Sequence, residues 1–264
     1  MNLRLARRRV RKSVGPIWRV GPIWRVCCSA IALIALSGLM GLGGGGPANA
    51  QVAVDLHLLL AVDASGSVDY TRFELQRRGY VAAFRSPQVL QAIRGGENQS
   101  IAVAMFQWTG PGLQAEIVPW TQIKDEASAN SVATIIETTP RRLFGGGTSI
   151  SGAIDYAMRW FPQSPFKGER RVIDISGDGS NSNGRSVIRA RDEAVAADVN
   201  INGLPILAWE PYLDQYYKQN VIGGPGAFMI VATDFNTFAD AILKKMIIEI
   251  AMNVRPGLTR IGKK

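Results

Sequence analysis

The 264-residue sequence predicts a doubly wound α/β domain with a mainly parallel sheet of six strands and helices on both faces. From residue 51 onward, short apolar runs alternate with amphipathic stretches, which is typical of parallel strands joined by crossover helices. Residues 56–62 are apolar almost throughout, as expected for a central strand covered on both faces. The linker between the second and third apolar runs is too short for a crossover helix, so one edge strand should be antiparallel.

Hydrophobic periodicity places the elements along the chain. The first strand is predicted at 56–62, and a helix follows at 69–84, where Phe73, Tyr80 and Phe84 recur at helical spacing. Further strands are predicted at 101–107, 115–120, 171–176, 202–208 and 227–232. Further helices are predicted at 124–137, 149–160, 186–198 and 235–252. No linker rich in Pro, Ser or Gly interrupts residues 51–264, so one domain is expected, with a short basic tail from about 254.

The positive charge of the chain is concentrated at its N-terminus. The sequence holds 30 Lys and Arg against 21 Asp and Glu, but residues 1–50 contain eight of these cations and no acid. The rest of the chain is therefore nearly neutral. Nucleic-acid binding is not predicted, because it requires clustered cations on the folded part of a protein.

Residues 1–50 have the order of a secretory signal peptide. The basic stretch is followed by an uncharged, mostly apolar run at 26–42 and then by Ala48-Asn49-Ala50, a small-residue cleavage sequence. We predict cleavage after Ala50 and a periplasmic or secreted protein. An uncleaved anchor is the alternative and would be the only link to a membrane, and the export route, Sec or twin-arginine, stays open. Both cysteines, Cys27 and Cys28, lie in this segment, so a mature chain would contain no thiol.

Three separated segments supply hard oxygen ligands at predicted loops. The first strand ends in Asp63-Ala64-Ser65-Gly66-Ser67, a run of three glycines precedes Thr148, and Asp178 follows the fourth predicted strand. In an open α/β sheet, ligands bind at the carboxyl ends of the strands. Two carboxylates and three hydroxyls are suited to Mg²⁺ or Mn²⁺. The alternative is that these residues only cap helices, as Ser, Thr and Asp commonly do.

These residues resemble the metal-ion-dependent adhesion site (MIDAS) of the von Willebrand factor A (vWA) family, and the resemblance covers roughly residues 54–252. The family motif is Asp-x-Ser-x-Ser after the first strand, a Thr in a later loop and an Asp after the fourth strand. The chain also looks like a group of stand-alone secreted bacterial A-domain proteins. It departs from the family at Gly177, where members commonly carry Thr, so the hydrogen bonding around Asp178 is expected to differ.

The resemblance implies a Rossmann-like vWA fold and an exported binding module without enzymatic activity. Ser65, Ser67 and Thr148 would ligate the metal directly in the partner-bound state, Asp63 and Asp178 would act partly through water, and an unidentified protein partner would present a carboxylate to the metal. Two other functions remain open. One is Mg²⁺-dependent phosphoryl transfer or hydrolysis, which lacks a recognisable base or nucleophile here. The other is a structural envelope protein with a vestigial site.

Two further features have alternative interpretations. His57, the only histidine, lies inside the first predicted strand, where it is interpreted as a hydrogen-bonded core residue rather than a catalyst. Aromatic residues cluster between Trp209 and Tyr217. This cluster is either a partner-binding patch or a helix that packs over the edge of the sheet.

Overall fold

The computed structural model describes residues 51–252, which form a three-layer α/β domain. The strands are β1 (Val52–Asp63), β2 (Ile101–Trp108), β3 (Gln114–Ile123), β4 (Phe166–Gly177) and β5 (Asn200–Pro205). The helices are α1 (Tyr70–Phe84), α2 (Pro87–Arg94), α3 (Glu126–Thr138), α4 (Ile150–Trp160), α5 (Val187–Ala196), α6 (Leu213–Tyr216) and α7 (Phe238–Ala251). A short 3₁₀ segment (Phe161–Gln163) and a π-helical turn (Tyr217–Val221) complete the described part.

The sheet has the order β3-β2-β1-β4-β5, with every neighbouring pair parallel except β2 and β3. One apolar core lies between the sheet and helices α1, α2, α3 and α7, and a second lies on the opposite face under α4 and α5. The doubly wound, mainly parallel fold and its antiparallel edge strand are confirmed. β1 lies at the centre, and its buried residues contribute to both cores.

The prediction of six strands is wrong, because the sheet has five. Residues 227–232 run beside β5 but form only isolated bridges there, at Met229 and Ala232. Two local features interrupt the ladder. The Asn202 side-chain oxygen accepts the backbone N–H of Phe228 at 2.8 Å, and Pro205 has no N–H to donate.

Helix α2 was not predicted, although the sequence carries a signal for it. Ser86 accepts the backbone N–H of Gln88 and Pro87 occupies the first turn, which is a common way to start a helix. Its apolar residues Val89, Leu90 and Ile93 are buried. The helix has only 8 residues, fewer than the stretch over which helical periodicity is recognised.

The predicted signal peptide at 1–50 and the basic tail from about 254 lie outside the described residues. Within residues 51–252, no helix has both the length and the apolar character needed to span a membrane.

His57 is a core residue, as predicted. Its ring is buried on β1 beside Trp120, and Nε2 lies 3.0 Å from the Ser164 hydroxyl. Burial lowers the pKa of His57 to about 4, with a further contribution from the charge of Arg171. The ring is therefore neutral near pH 7.

A charged cluster is buried beneath α7. The Lys245 ammonium lies 2.7 Å from Asp174 Oδ2 and 3.9 Å from Glu249 Oε2, and all three side chains are almost completely inaccessible. Arg170 contacts the other Glu249 oxygen at 3.2 Å, and the Asn202 amide donates to Glu249 Oε2. Burial raises the pKa of both acids, and the Lys245 charge opposes that rise. The cluster joins α7 to β4 and β5 on the α1 side of the sheet.

Candidate metal centre

The predicted site residues meet at the carboxyl edge of the sheet. Asp63 is the last residue of β1, and Asp178 directly follows β4. These two strands are parallel neighbours, with Val62 paired to Ser176, so Asp178 lies one residue beyond the level of Asp63 at the same edge of the sheet. Four of the five predicted residues form one hydrogen-bonded group there.

The Asp63-to-Ser67 loop folds back on its own first residue. Asp63 Oδ1 accepts the backbone N–H of Ser65 at 2.7 Å, and the hydroxyls of Ser65 and Ser67 lie 3.1 Å apart. The Ser67 hydroxyl donates to Asp178 Oδ1 at 2.5 Å. The side chains of Asp63, Ser65, Ser67 and Asp178 therefore follow one another within hydrogen-bonding distance or share a loop contact.

Thr148 reaches this edge through three glycines with unusual backbone conformations. Gly145, Gly146 and Gly147 all have positive φ, at 131°, 103° and 82°, which residues with a Cβ rarely adopt. The Thr148 carbonyl then accepts the N–H of Ser182 at 2.8 Å. This contact anchors Thr148 against the loop that follows Asp178.

Two carboxylate oxygens at the site are buried and have no hydrogen-bond partner, Asp63 Oδ2 and Asp178 Oδ2. Asp63 is fully inaccessible and Asp178 almost so. Burial and the nearby Asp178 charge raise the pKa of Asp63 to about 7, and burial also raises the pKa of Asp178. Unpaired buried carboxylates are costly, and a bound cation would remove that cost. The two acids and the adjacent hydroxyls thus fit a hard divalent ion.

The donor set differs from that of a structural zinc centre. Within residues 51–252, no group of three or more His, Cys, Asp or Glu side chains is arranged to hold a metal. The carboxylates of the candidate centre number only two, and the other donors are hydroxyls. Ser67 and Thr148 are half-buried while Asp63, Ser65 and Asp178 are buried, so a ligand would approach from the hydroxyl side.

Arg141 holds the Asp63-to-Ser67 loop, called the motif loop below, in place. The sequence analysis did not predict this role. Its guanidinium donates to the carbonyls of Ala64 at 2.8 Å, Ser65 at 3.2 Å and Val68 at 2.6 Å, and its Nε donates to Leu143. One side chain therefore ties the Asp63-to-Ser67 loop to the segment that leads to Thr148. A lone Arg in a predicted loop gave no sequence signal for this role.

Arg72 and Glu210 flank the site on another side and were also missed. Arg72 donates to the Ser67 carbonyl at 2.6 Å, and its charge lowers the pKa of Asp178. Glu210 accepts the N–H of Ser180 at 3.0 Å, and its charge raises the pKa of Asp178. Asp178 is thus bordered by one cation and one further anion.

Sequence comparison identifies the family. The chain matches a family described as a protein of unknown function (DUF1194) over residues 53–254, which is most of its length. The chain belongs to the DUF1194 family. No match was found among curated protein sequences.

Solved structures show that this DUF1194 chain has the vWA fold. Proximal thread matrix protein 1 (PTMP1) from the mussel byssus is 12% identical over 75% of the chain and 47% of its own, with a TM-score of 0.56. The pilus adhesin SpaC from Lactobacillus rhamnosus GG is 13% identical over 76% and 31%, with a TM-score of 0.57. A von Willebrand factor type A protein from Catenulispora acidiphila is 16% identical over 76% and 43%, with a TM-score of 0.52. The DUF1194 chain thus spans less than half of each of these longer chains.

One structure of PTMP1 is described as having a zinc-occupied MIDAS motif. At 13% identity this comparison establishes a shared fold for the DUF1194 chain.

The departure of this DUF1194 chain from the vWA motif at Gly177 has a steric cause. A Cβ on Gly177 would lie 2.9 Å from Asp63 Oδ2, 3.0 Å from the Tyr217 hydroxyl and 3.2 Å from the Trp108 ring. These side chains fill the space that a threonine would need. The Tyr217 hydroxyl is buried without a hydrogen-bond partner, so it offers a polar group near Asp63 where the family commonly has a threonine hydroxyl.

The two asparagines after Asp178 have structural contacts. Asn181 Oδ1 accepts the backbone N–H of Ser151 at 2.9 Å, and Asn183 Nδ2 donates to the Gly146 carbonyl at 3.3 Å. Both residues therefore connect the loop after β4 to the segment that carries Thr148. The Trp209 to Tyr217 cluster divides in the structure, because Leu213 and Tyr217 are buried whereas Trp209 and Tyr212 are exposed.

Proposed function

We propose that the protein is an exported binding module that holds a divalent cation, Mg²⁺ or Mn²⁺, with Asp63, Ser65, Ser67, Thr148 and Asp178. The observation that carries this proposal is the pair of buried, unpartnered oxygens on Asp63 and Asp178 beside the motif hydroxyls. A divalent ion offers both oxygens the positive partner that they lack. The zinc-occupied MIDAS motif of PTMP1 supports metal binding in this fold.

The cation supplies an attachment point for an acidic side chain of a protein partner. Two aspartates balance a divalent charge, and uncharged hydroxyls add none, so the loaded centre still accepts one further carboxylate. Mg²⁺ commonly keeps water molecules that a ligand can replace. The names of the pilus adhesin and the thread matrix protein are consistent with a role in attachment.

Binding rather than catalysis is proposed because the described residues offer no positioned base. His57 lies in the interior of β1, six residues before Asp63, and hydrogen-bonds to Ser164. Glu210 already accepts two hydrogen bonds from Ser180. A general base must reach the proton that it removes. His57 lies inside the strand away from the site, and Glu210 uses one carboxylate oxygen to hold the loop after Asp178.

The binding proposal is tested by recovering a partner from the envelope fraction with the purified full chain as bait. A partner is expected to bind in Mg²⁺, to be released by EDTA and to bind again when Mg²⁺ is restored. Thr148→Val removes one hydroxyl ligand and keeps the shape of the side chain, so it should abolish capture. Thr134→Val is the matched control, because the Thr134 hydroxyl only contacts the Asn130 carbonyl on exposed α3. Equal capture in EDTA, or by Thr148→Val, would refute a metal-mediated contact.

Export is part of the same proposal and has its own test. If residues 1–50 are a cleaved signal peptide, the protein isolated from the envelope begins at Gln51. Intact-mass analysis of that fraction measures this directly. A mature species that retains residues 1–50 would show an anchor instead.

A further inference from the structure

Exposed aromatic side chains gather at the same edge of the sheet as the candidate metal centre. Among residues 51–252, the large aromatic side chains classed as exposed are Tyr70 (72%), Phe144 (75%), Trp209 (60%) and Tyr212 (73%). We call these four residues the aromatic rim. Single exposed apolar groups are ordinary, but a concentration on one face marks an interaction surface.

The rim residues lie in segments that adjoin the carboxyl edge of the sheet, where the site is found. Tyr70 begins α1 directly after the motif loop, Phe144 lies four residues before Thr148, and Trp209 and Tyr212 follow β5. Two of them are tied to the motif loop by arginines. The Arg141 guanidinium lies 5.1 Å from the Phe144 ring centre, and the Arg72 guanidinium lies 4.4 Å from that of Trp209.

The same arginines donate to backbone carbonyls of the motif loop, Arg141 at Ser65 and Arg72 at Ser67. Phe144 and Trp209 are therefore held beside the hydroxyl ligands by a short chain of contacts. A partner that reaches the metal from the hydroxyl side would meet these rings.

The charges around the centre limit what the partner can be. The carboxylates of Asp63 and Asp69 act on Arg141. The charges of Arg72 and Glu210 act on Asp178. A divalent cation together with the two arginines would balance these four carboxylates. Without the cation this face is negative and repels an acidic ligand, and with it the face is neutral. A neutral face bordered by aromatic rings favours one carboxylate in apolar surroundings over a polyanion, which needs an excess of cations.

We propose that the aromatic rim binds apolar side chains on either side of the acidic residue that the metal engages. The partner is then a protein loop that carries a single Asp or Glu between apolar or aromatic residues. This inference rests on the proposed metal-dependent function. Tyr, Trp and Phe suit such a role because they bury a large area with few rotatable bonds, and they are enriched at protein interfaces.

The test is a selection of random peptides, displayed on phage, that bind the immobilised full chain in Mg²⁺ and are eluted with EDTA. The selected peptides are expected to carry one Asp or Glu flanked by apolar or aromatic residues. Trp209→Ser and Tyr212→Ser should each weaken binding of the best peptide about tenfold or more, the size expected for a central interface aromatic. Val52→Ser is the matched control, because Val52 is an exposed apolar residue at the opposite end of β1.

The outcomes separate this inference from the function on which it rests. Enrichment of acidic residues without apolar neighbours, or unchanged affinity in both rim variants, would refute the proposed role of the aromatic rim. Metal-mediated binding would remain supported. A pool without acidic enrichment would overturn both. Each rim variant must keep the thermal shift of the wild type with Mg²⁺, so that a lost metal is not mistaken for a lost rim. Binding of uncharged sugars on a glycan array that requires Trp209 and Tyr212 would assign the rim to carbohydrate and overturn the peptide proposal.

Discussion

Replacing Lys245 with methionine is expected to destabilise the domain by about 3 to 5 kcal/mol, as measured by urea unfolding. The ammonium is buried 2.7 Å from Asp174 and 3.9 Å from Glu249. Methionine fills a similar volume but leaves buried Asp174 without its cation, while Glu249 keeps only Arg170 as a cationic partner. The loss should come from the acids and not from a cavity, because the volume is nearly conserved.

Two further variants identify the cause. Lys244→Met changes the exposed neighbour on the same helix and should alter stability by less than about 0.5 kcal/mol. The double variant Lys245→Met with Asp174→Leu removes both members of the Lys245–Asp174 pair. It should recover much of the lost stability, since an apolar replacement of a buried ion pair is often neutral. Equal stability of wild type and Lys245→Met would show that the buried cluster contributes nothing to folding.

Substituting Asp63 with asparagine should produce two opposite effects at pH 8. In the metal-free protein the variant should be more stable by up to roughly 4 kcal/mol, because a pKa of about 7 instead of 3.8 measures how strongly the site disfavours the ionised acid. The amide oxygen of the introduced asparagine can still accept the N–H of Ser65, so the loop is retained. With Mg²⁺ at ten times its Kd, the wild type should gain about 1.4 kcal/mol, or about 3 to 6 °C in Tm, and the variant should gain little.

The magnesium effect should also depend on pH. Because the folded-state pKa of Asp63 lies above its unfolded value, the folded protein holds more protons between about pH 4 and 7. The metal-free protein therefore loses stability as pH rises through that window, and Mg²⁺ competes with the proton there. The thermal shift with Mg²⁺ should be larger at about pH 8 than at about pH 5.5.

Asp192→Asn is the control for these measurements, since Asp192 is an exposed acid on α5 that pairs only with the adjacent Arg191. It should keep the full response to Mg²⁺. If wild type and Asp63→Asn melted identically with saturating Mg²⁺ and Mn²⁺, the metal centre would have to be abandoned. The proposed binding mechanism would be lost with it.

Hydrophobic periodicity predicted the sequence order of the main elements because it records which face of each strand or helix is buried. It failed at residues 227–232, where the apolar pattern of a strand is present but no sixth strand forms. The deciding contacts come from Asn202 and Pro205, which belong to the neighbouring strand. Such competition for a single N–H cannot be read from the pattern of one segment.

The sequence predicted the candidate metal ligands better than it predicted the residues that support them. Asp63 and Asp178 could be placed together because the ends of parallel neighbours meet at one edge. Arg141 could not, since it contacts Val68 across 73 positions of sequence through its side chain alone. The glycine at position 177 could be recognised from the sequence as a departure from the family motif. Its cause could not, because the Tyr217 and Trp108 side chains that leave no room for a Cβ are brought there by packing.

The sequence by itself determined the alternation of strands and helices, the antiparallel edge and the oxygen-rich residues at the strand ends, because these depend on local periodicity and on chain direction. The tertiary structure decided the number of strands and the contacts of Arg72 and Arg141 with the motif loop. It also decided the burial of Lys245 beside Asp174 and the position of the exposed aromatic residues around the site. Those features depend on contacts between side chains that are distant in sequence, and their geometry is set only when the helices pack on the sheet.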